Sequence, residues 1–202
     1  MPGVPPTPAF AGVPLDIAPI AAGMEFGRIH RLTFPDSLSF GKNPTRFSDP
    51  RRRVPDSRFG VLYLGSSLKV CFLETILRDD RDGVVGDVEV EEKELDDRLY
   101  AEVRVRDSLR LLDLTGDGPV RMGIPSDVLR GSQQALARKW SVAFYGHPAA
   151  VDGILCPSRL NGQTNLAIYD RAVPKLEPLR SHNLKCAPGM ADVLDDFFVA
   201  LI

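Results

Sequence analysis

A buried strand, a tight turn and an apolar helix are predicted in succession by Arg58-Phe59-Gly60-Val61-Leu62-Tyr63-Leu64-Gly65-Ser66-Ser67-Leu68-Lys69-Val70-Cys71-Phe72-Leu73-Glu74-Thr75-Ile76-Leu77-Arg78. Residues 60–64 are too continuously apolar for an edge strand, so we expect a central one. Ser66 or Ser67 then caps the helix by accepting a hydrogen bond from a free amide of its first turn. The helix carries one carboxylate, Glu74, which is the first candidate for a functional residue.

Glu74 has two possible environments on this helix. Its neighbours at three and four positions are Val70, Cys71, Leu77 and Arg78. Three of the four are apolar, which places the carboxylate towards the buried face, where an unpaired charge is costly. Arg78 instead offers an exposed ion pair at i,i+4 spacing. Spacing alone leaves both alternatives open.

The composition is that of an ordinary globular domain. The chain has 202 residues, 44% of them apolar and 26% charged, which suffices for one domain with a full core. A net charge of −2 gives no reason to expect direct binding of nucleic acid or of an anionic membrane. The three cysteines and three histidines show no metal-ligand spacing, and an odd number of cysteines fits a reducing compartment. No run approaches the roughly 18 apolar residues of a membrane span, so we expect a soluble, cytoplasmic protein.

The two ends of the chain differ from its middle. Residues 1–26 hold prolines at positions 2, 5, 6, 8, 14 and 19, which exclude a regular helix and predict an extended surface arm or a disordered tail. At the other end, residues 189–202 are predicted to form an amphipathic helix, because apolar residues recur every three or four positions: Met190, Val193, Leu194, Phe197, Phe198 and Leu201. Such a helix serves core packing or partner binding.

Between these ends the predicted strands and helices do not alternate regularly, which favours an α+β fold over a doubly wound sheet. Strands are expected at residues 27–34, 99–105, 109–114, 151–159 and 164–169, and a helix at 132–144. A turn-rich, basic connection over residues 36–57 follows the first strand, and loops of this length are often functional.

Strong catalytic motifs are absent: the sequence has no Walker loop, no GxGxxG after a strand, no GxSxG and no HExxH. Any site must therefore be assembled from scattered residues. Arg31 shares a strand face with Ile29 and Thr33, where a guanidinium needs an anion, either a structural carboxylate or a ligand phosphate. Ser158 and Arg159 come at a strand end broken by a proline, where side chains often face a cleft, although a turn serine and a surface arginine are the commoner outcome.

Taken together, these positions resemble the RES domain, a family named for an arginine, a glutamate and a serine. The matching motifs follow the family's order over about residues 27–172: Ile29-His30-Arg31-Leu32, Arg46-Phe47-Ser48-Asp49-Pro50, Val61-Leu62-Tyr63-Leu64, Phe72-Leu73-Glu74-Thr75, Asp152-Gly153-Ile154-Leu155-Cys156-Pro157-Ser158-Arg159 and Asn165-Leu166-Ala167-Ile168-Tyr169. One departure is His30, because the residue before the opening arginine is often aromatic in the family. Arg28 lies close enough to compete with Arg31 for the role of motif arginine.

The resemblance implies a fold similar to ADP-ribosyltransferase toxins, with two small packed sheets and flanking helices around an NAD-binding cleft, formed here by residues 27–202. It implies catalytic roles for Arg31, Glu74 and Ser158. It also implies NAD⁺ as a substrate, with no metal, bound by Arg31, Arg46, Phe47, Ser48, Tyr63, Ser158 and Arg159. Cleavage of the nicotinamide–ribose bond builds positive charge on the ribose, which the carboxylate at position 74 would stabilise. Guanidinium groups suit the pyrophosphate.

Members of this family are toxins of RES–Xre toxin–antitoxin systems. They split the nicotinamide–ribose bond of NAD⁺ with phosphate as acceptor, and some relatives instead transfer ADP-ribose to a protein such as phosphoribosyl pyrophosphate synthetase. The resemblance therefore implies an Xre-type antitoxin that blocks the cleft, and a protein target in the second reaction. A homodimer is left open. A third alternative is a catalytically silent module that keeps only the fold and the antitoxin surface.

Overall fold

The computed structural model describes residues 3–51, 57–78, 83, 85–131 and 134–202. Within them lie ten strands: β1 (Ile17–Ile20), β2 (Glu25–Arg31), β3 (Val61–Gly65), β4 (Val88–Val90), β5 (Arg98–Val105), β6 (Leu109–Asp113), β7 (Gly153–Pro157), β8 (Thr164–Tyr169), β9 (Leu176–Asn183) and β10 (Val199–Leu201). Eight of them form a sheet in the order β1-β6-β7-β8-β3-β2-β5-β9, and β4 pairs with β10 in a separate parallel ladder. The predicted α+β class is confirmed.

Most of the helices are short. The α-helices within the described ranges are α1 (Leu68–Phe72), which continues into a π turn (Leu73–Leu77), α2 (Glu92–Asp96), α3 (Gly118–Arg121), α4 (Asp127–Arg130), α5 (Ala135–Tyr145) and α6 (Met190–Asp196). Three short 3-10 helices lie in the same ranges, at Pro8–Gly12, Asp170–Lys175 and Leu184–Cys186. α5 corresponds to the helix predicted at 132–144, of which residues 132 and 133 lie outside the described part of the chain. Among the described residues, the helices are too short or too polar to span a membrane.

The large sheet consists of two halves that meet at one point. β1, β6, β7, β8 and β3 form one half, and β2, β5 and β9 form the other. β2 pairs with β5 over seven positions, whereas the described part of β2 pairs with β3 only through Gly27 and Gly65. Beyond this joint, Val61 at the start of β3 bridges to Gly41 instead of to β2. The two sheets implied by the resemblance are therefore hydrogen-bonded into one, which splits on one side of the joint.

The glycines on both sides of the joint lie in close contact with neighbouring side chains. A Cβ built on Gly27 would lie 2.6 Å from the ring of Tyr100, and one on Gly65 would lie 2.8 Å from Sγ of Cys71. Both distances are shorter than van der Waals contact, so a larger residue at either position would force the Tyr100 ring or the Cys71 side chain to move.

Each half of the sheet has its own helical cover. α5 packs on the five-stranded half, where Trp140 and Phe144 are buried. α1, the π turn and α6 cover the three-stranded half around Phe72. A third cluster, which includes Leu64 and Val103, draws on strands of both halves and holds them together. The two covers leave a gap over the joint.

Residues 58–78 fold largely as their pattern predicts. β3 is central, with β8 on one side and β2 on the other. Ser67 caps α1, because its Oγ accepts a hydrogen bond of 3.3 Å from the amide of Val70. The helix then departs from regular geometry, since the amide of Arg78 donates to the carbonyl of Leu73 at 2.7 Å and closes a π turn. A π turn inserts a residue into the helical repeat and changes the direction of the side chains within it.

Residues 3–26, predicted as an arm or a tail, lie against the domain. Phe10 is buried, with its ring centroid 5.0 Å from that of Trp140. The indole Nε1 of Trp140 donates to the carbonyl of Val4 at 2.9 Å. β1 pairs antiparallel with β6 at the edge of the sheet. This stretch therefore contributes β1, the start of β2 and the buried rings of Phe10 and Phe26 to the fold.

The C-terminal helix is shorter than the predicted 189–202. α6 ends at Asp196, and Phe198 takes a φ of 53°, which turns the chain. β10 then pairs in parallel with β4. This pairing satisfies backbone groups of residues 199–201 outside a helix. The apolar periodicity of the terminus therefore spans a helix followed by a strand.

Candidate functional site

A cavity of about 860 Å³ opens where β2 and β3 diverge. This volume lies within the range of roughly 300–1,000 Å³ that is typical of sites for small molecules and cofactors. Both halves of the sheet contribute to its lining, together with the π turn and the connection between β2 and β3. The cavity extends to the joint of Gly27 with Gly65, since Gly65 is itself a lining residue.

The lining is strongly basic. Among the described residues, Glu74 is its one carboxylate, and it faces six arginines: Arg28, Arg31, Arg46, Arg78, Arg98 and Arg159. The chain as a whole has a net charge of −2, so this positive charge is a local concentration. A concave surface with excess guanidinium groups attracts an anionic ligand.

Glu74 faces the cavity from the π turn. Its Oε1 accepts a hydrogen bond of 3.0 Å from Nδ2 of Asn165 in β8. Asn165 lies opposite Gly65 on one side and Cys156 on the other, next to the joint. Within the described residues, Glu74 makes no ion pair with Arg78. Of the two environments that spacing left open, the structure has the half-buried one.

Tyr63 organises the connection that precedes β3. Its hydroxyl accepts a hydrogen bond of 2.9 Å from the amide of Phe47 and lies 3.0 Å from Oγ1 of Thr45. Burial of the ring raises the pKa of Tyr63 to about 12, so the hydroxyl stays protonated. Phe47 is 1% exposed and offers the cavity little ring surface. The carbonyl of Phe47 in turn accepts a hydrogen bond of 2.6 Å from Oγ of Ser141.

Arg46 and Arg159 form a basic pair on the wall of the five-stranded half. Nη1 of Arg46 donates to the carbonyls of Val128 and Gly131 at 3.3 and 3.1 Å. Nη1 of Arg159 lies 3.5 Å from the same Gly131 carbonyl. Burial lowers the pKa of Arg46, and the positive charge of Arg159 lowers it further. The two guanidinium groups are therefore held close together by backbone acceptors, in spite of their repulsion.

Three arginines line the opposite wall, which β2 and β5 form. The guanidinium of Arg28 donates to the carbonyl of Ser37, and burial lowers its pKa to about 10. Arg31 lies at the end of β2, and Arg98 opens β5, where it pairs with Glu94. Since Arg28 and Arg31 both line the cavity, either can serve as the arginine of the opening motif.

The predicted serines lie beside the cavity and not in its lining. Ser158 is 4% exposed, and its Oγ accepts a hydrogen bond of 3.2 Å from the amide of Leu160. Ser48 is 2% exposed, and its Oγ bonds the amide and the carbonyl of Thr45 at 2.9 and 3.0 Å. Both hydroxyls therefore stabilise the turns that carry Arg159 and Arg46.

The predicted site residues are otherwise brought together: Arg31, Arg46, Phe47, Tyr63, Glu74 and Arg159 all line the cavity. Asn165 and Arg98 are among the lining residues that had no predicted role. Asn165 had a weak signal, as a polar residue near the start of an otherwise apolar strand. Arg98 had none, because its place opposite Arg31 depends on the pairing of β2 with β5.

Known proteins share both the sequence pattern and the fold. A family model, described as the RES domain, matches residues 25–187. A relative from Sinorhizobium fredii (strain NBRC 101917 / NGR234), described as "Probable toxin y4kH", is 37% identical over 127 residues, which are 62% of this chain and 100% of the relative. A chain in the crystal structure of the M. tuberculosis MbcT–MbcA toxin–antitoxin complex has a similar fold, with a TM-score of 0.61 and 20% identity over 89% of this chain and 91% of that one.

Proposed function

The chain belongs to the RES domain family, and we propose that it is the toxin of a toxin–antitoxin pair that cleaves NAD⁺ at the nicotinamide–ribose bond. Phosphate is the proposed acceptor, so the protein is an NAD⁺ phosphorylase. The descriptions of y4kH as a probable toxin and of MbcT–MbcA as a toxin–antitoxin complex support the proposed role as a toxin, which is the first part of the proposal. The observation that carries the second part is the cavity in which six arginines surround one carboxylate.

The charges of this cavity match those of NAD⁺. The pyrophosphate is anionic, and guanidinium groups bind it through charge-assisted, often bidentate hydrogen bonds. We assign Arg31 and Arg46, which lie on opposite walls, to the pyrophosphate. The nicotinamide riboside end is cationic, and we assign it to the neighbourhood of Glu74. The dinucleotide is thereby oriented with its scissile bond towards Glu74 and the joint of Gly27 with Gly65.

Glu74 has the chemistry that this bond cleavage requires. When the bond between ribose C1′ and the nicotinamide nitrogen breaks, its electron pair neutralises the ring nitrogen and leaves positive charge on the ribose. A carboxylate next to the ribose stabilises that charge, as in glycosidases. An oxygen of phosphate then bonds to C1′. The hydrogen bond from Asn165 fixes the direction of the carboxylate before the substrate arrives.

Ser158 supports this arrangement as a positioning residue. Its amide donates to the carbonyl of Gln163 at 2.6 Å, and its carbonyl accepts from Gly162 at 3.0 Å. Together with the Oγ contact to Leu160, these bonds close the turn after β7. The turn carries Arg159 into the cavity lining, so loss of the serine acts on the reaction through the arginine.

We place the antitoxin at the mouth of the cavity. The connection that follows Arg31 in the chain exposes three large apolar side chains: Leu32 at 52%, Phe34 at 62% and Phe40 at 39%. Contiguous exposed apolar surface is typical of protein-binding sites. An Xre-type antitoxin bound here would cover Arg31 and exclude NAD⁺. A toxin–antitoxin complex that binds NAD⁺ as tightly as the free toxin does would contradict this placement.

Nicotinamide release by the purified protein tests the proposed reaction. The protein is incubated with NAD⁺ in phosphate-free buffer and again with added phosphate, and we expect release that depends on phosphate. ³²P-labelled NAD⁺ is used in parallel with a bacterial lysate, because label on a protein would instead favour ADP-ribosyl transfer. Absence of nicotinamide release under every condition would rule out the enzyme and leave the silent binding module.

A further inference from the structure

The ladder between β2 and β5 is built differently at its two ends. The strands pair antiparallel in continuous register from Glu25 opposite Arg104 to Arg31 opposite Arg98. Side chains at paired positions lie on the same face of a sheet, close enough to interact. At the first end the ladder therefore pairs an acid with a base. At the cavity end it pairs two arginines.

The two ends of the ladder also differ in how far their arginines are neutralised by carboxylates. Arg104 contacts Glu25 at 2.8 Å and Glu177 at 3.4 Å, so two carboxylates neutralise one guanidinium. At the cavity end, Arg98 pairs with Glu94, whose side chain is 41% exposed. Within the described residues, Arg31 has no ion-pair partner. Of the two guanidinium groups, only that of Arg98 therefore has a carboxylate partner among the described residues, and that carboxylate is partly solvated. Like charges in directly opposed positions nevertheless destabilise a sheet.

We propose that Arg31 and Arg98 form a phosphate-binding subsite on the β2–β5 wall of the cavity, distinct from the Arg46–Arg159 pair on the other wall. Both arginines line the cavity. A phosphate oxyanion between them replaces the repulsion of two like charges by two charge-assisted contacts. The planar guanidinium forks suit a tetrahedral anion better than lysines would.

The phosphate group has two possible sources, and this step rests on the proposed function. One source is the inorganic phosphate that accepts the ADP-ribosyl group. The other is the pyrophosphate of NAD⁺ itself. In both cases Arg98 becomes a residue that binds the substrate, a role that sequence motifs do not give it.

Phosphate binding by purified variants tests the subsite. Isothermal titration with inorganic phosphate compares the native protein with Arg98→Gln, Glu94→Gln and Arg104→Gln. We expect Arg98→Gln to raise the Kd for phosphate roughly tenfold or more. Glu94→Gln should lower it, because the arginine then loses its competing carboxylate. Arg104→Gln is the matched control on the same strand and should leave the Kd unchanged.

The opposite directions of the first two variants exclude a merely structural ion pair. If Arg98 and Glu94 only stabilised the fold, both substitutions would weaken phosphate binding together, and that result would overturn the proposal, as would an unchanged Kd in Arg98→Gln. Competition by ADP then identifies the source. Displacement of phosphate assigns the subsite to the pyrophosphate, and simultaneous binding assigns it to the acceptor.

These measurements are separate from the test of NAD⁺ cleavage. If the protein binds phosphate through Arg98 but releases no nicotinamide, the subsite is supported and the proposed reaction is contradicted. If the protein consumes NAD⁺ but Arg98→Gln has the native Kd for phosphate, the proposed reaction is supported and the subsite is contradicted.

Discussion

The two walls of the cavity hold their arginines in opposite ways. On the five-stranded half, Arg46 is fixed by two backbone carbonyls, and its loop is fixed by the hydroxyl of Tyr63. On the β2–β5 wall, Arg31 and Arg98 oppose each other, and Glu94 pairs with the second of them. The first wall is ordered by the protein's own acceptors. The second, apart from Arg28 with its hydrogen bond to Ser37, carries charge that a ligand can neutralise. We infer that one wall sets the position of the substrate and the other adds affinity for its anionic part.

The largest effect is expected from the carboxylate between the two walls. Glu74→Gln keeps the volume of the side chain and an oxygen that can accept from Asn165, so the fold should persist. Nicotinamide release should fall by about 10²–10³-fold or more, the usual loss when one electrostatic contact to the transition state is removed. The Kd for inorganic phosphate should stay the same or decrease, because the variant removes negative charge from a basic cavity.

Glu177→Gln is the matched control for that variant, since it removes an acid that pairs with Arg104 far from the cavity lining. It should leave both nicotinamide release and phosphate binding unchanged. Full NAD⁺ turnover by Glu74→Gln would show that the carboxylate is structural. The two walls would then not flank a catalytic carboxylate.

The sequence was sufficient where structure depends on neighbours along the chain. The apolar run of β3 and the cap at Ser67 follow local rules, and both are confirmed. The RES-domain resemblance is also confirmed, because several short motifs in a fixed order carry more information than one motif does. The residues that the motifs name mostly converge on the cavity, although Ser158 does so only through its turn.

Sequence was insufficient where structure depends on pairing between distant segments. The joint of Gly27 with Gly65, the opposition of Arg31 and Arg98, and the bond from Asn165 to Glu74 each join residues at least 38 positions apart. The same reason explains the C-terminus, where pairing with β4 ends a helix that periodicity extends to residue 202. Strand register is a tertiary property, and no local pattern at Arg98 reveals its partner.

An intermediate effect is expected from a change at Tyr63, on the wall of the five-stranded half. Tyr63→Phe removes the acceptor of the Phe47 amide, which lies in a buried part of the loop. An amide left without its acceptor costs about 1–3 kcal/mol of unfolding free energy. Because the loop also carries Arg46, the KM for NAD⁺ should rise about tenfold. The Kd for phosphate at the Arg31–Arg98 subsite should not change.

Chemical denaturation and initial rates measure these effects, with Tyr145→Phe as the control. Tyr145 also has a hydroxyl contact, at 3.4 Å to Asp170, but it does not line the cavity. Loss of the Tyr145 hydroxyl should change the unfolding free energy and the KM for NAD⁺ only little. If Tyr63→Phe unfolded at the native free energy and kept the native KM, the loop would be ordered by other contacts and the contrast between the walls would be weaker.

The smallest effect concerns His30, which precedes Arg31 on the β2–β5 wall. The imidazole is 7% exposed, and its Nδ1 lies 2.9 Å from the carbonyl of Phe34, to which it donates. Burial lowers the pKa of His30 below its ordinary value, the hydrogen bond to Phe34 opposes this shift, and the charge of Arg28 adds to it. Below pH of about 6.5 the unfolded chain therefore binds a proton that the folded chain does not yet bind. Stability should decrease as the pH falls from about 6.5 to the lowered pKa.

His30→Phe isolates this contribution, because it places an aromatic residue at a position where the family often has one. The variant loses one hydrogen bond but also removes a buried Nε2 that has no partner among the described residues. Its unfolding free energy at pH 7.5 should lie within about 1 kcal/mol of the native value, and the decrease between pH 7.5 and pH 5.5 should become smaller. His182→Gln, in β9, should keep the native decrease. If the unfolding free energy decreased equally between pH 7.5 and pH 5.5 in the native protein and in His30→Phe, His30 would contribute nothing to the acid sensitivity of the β2–β5 wall.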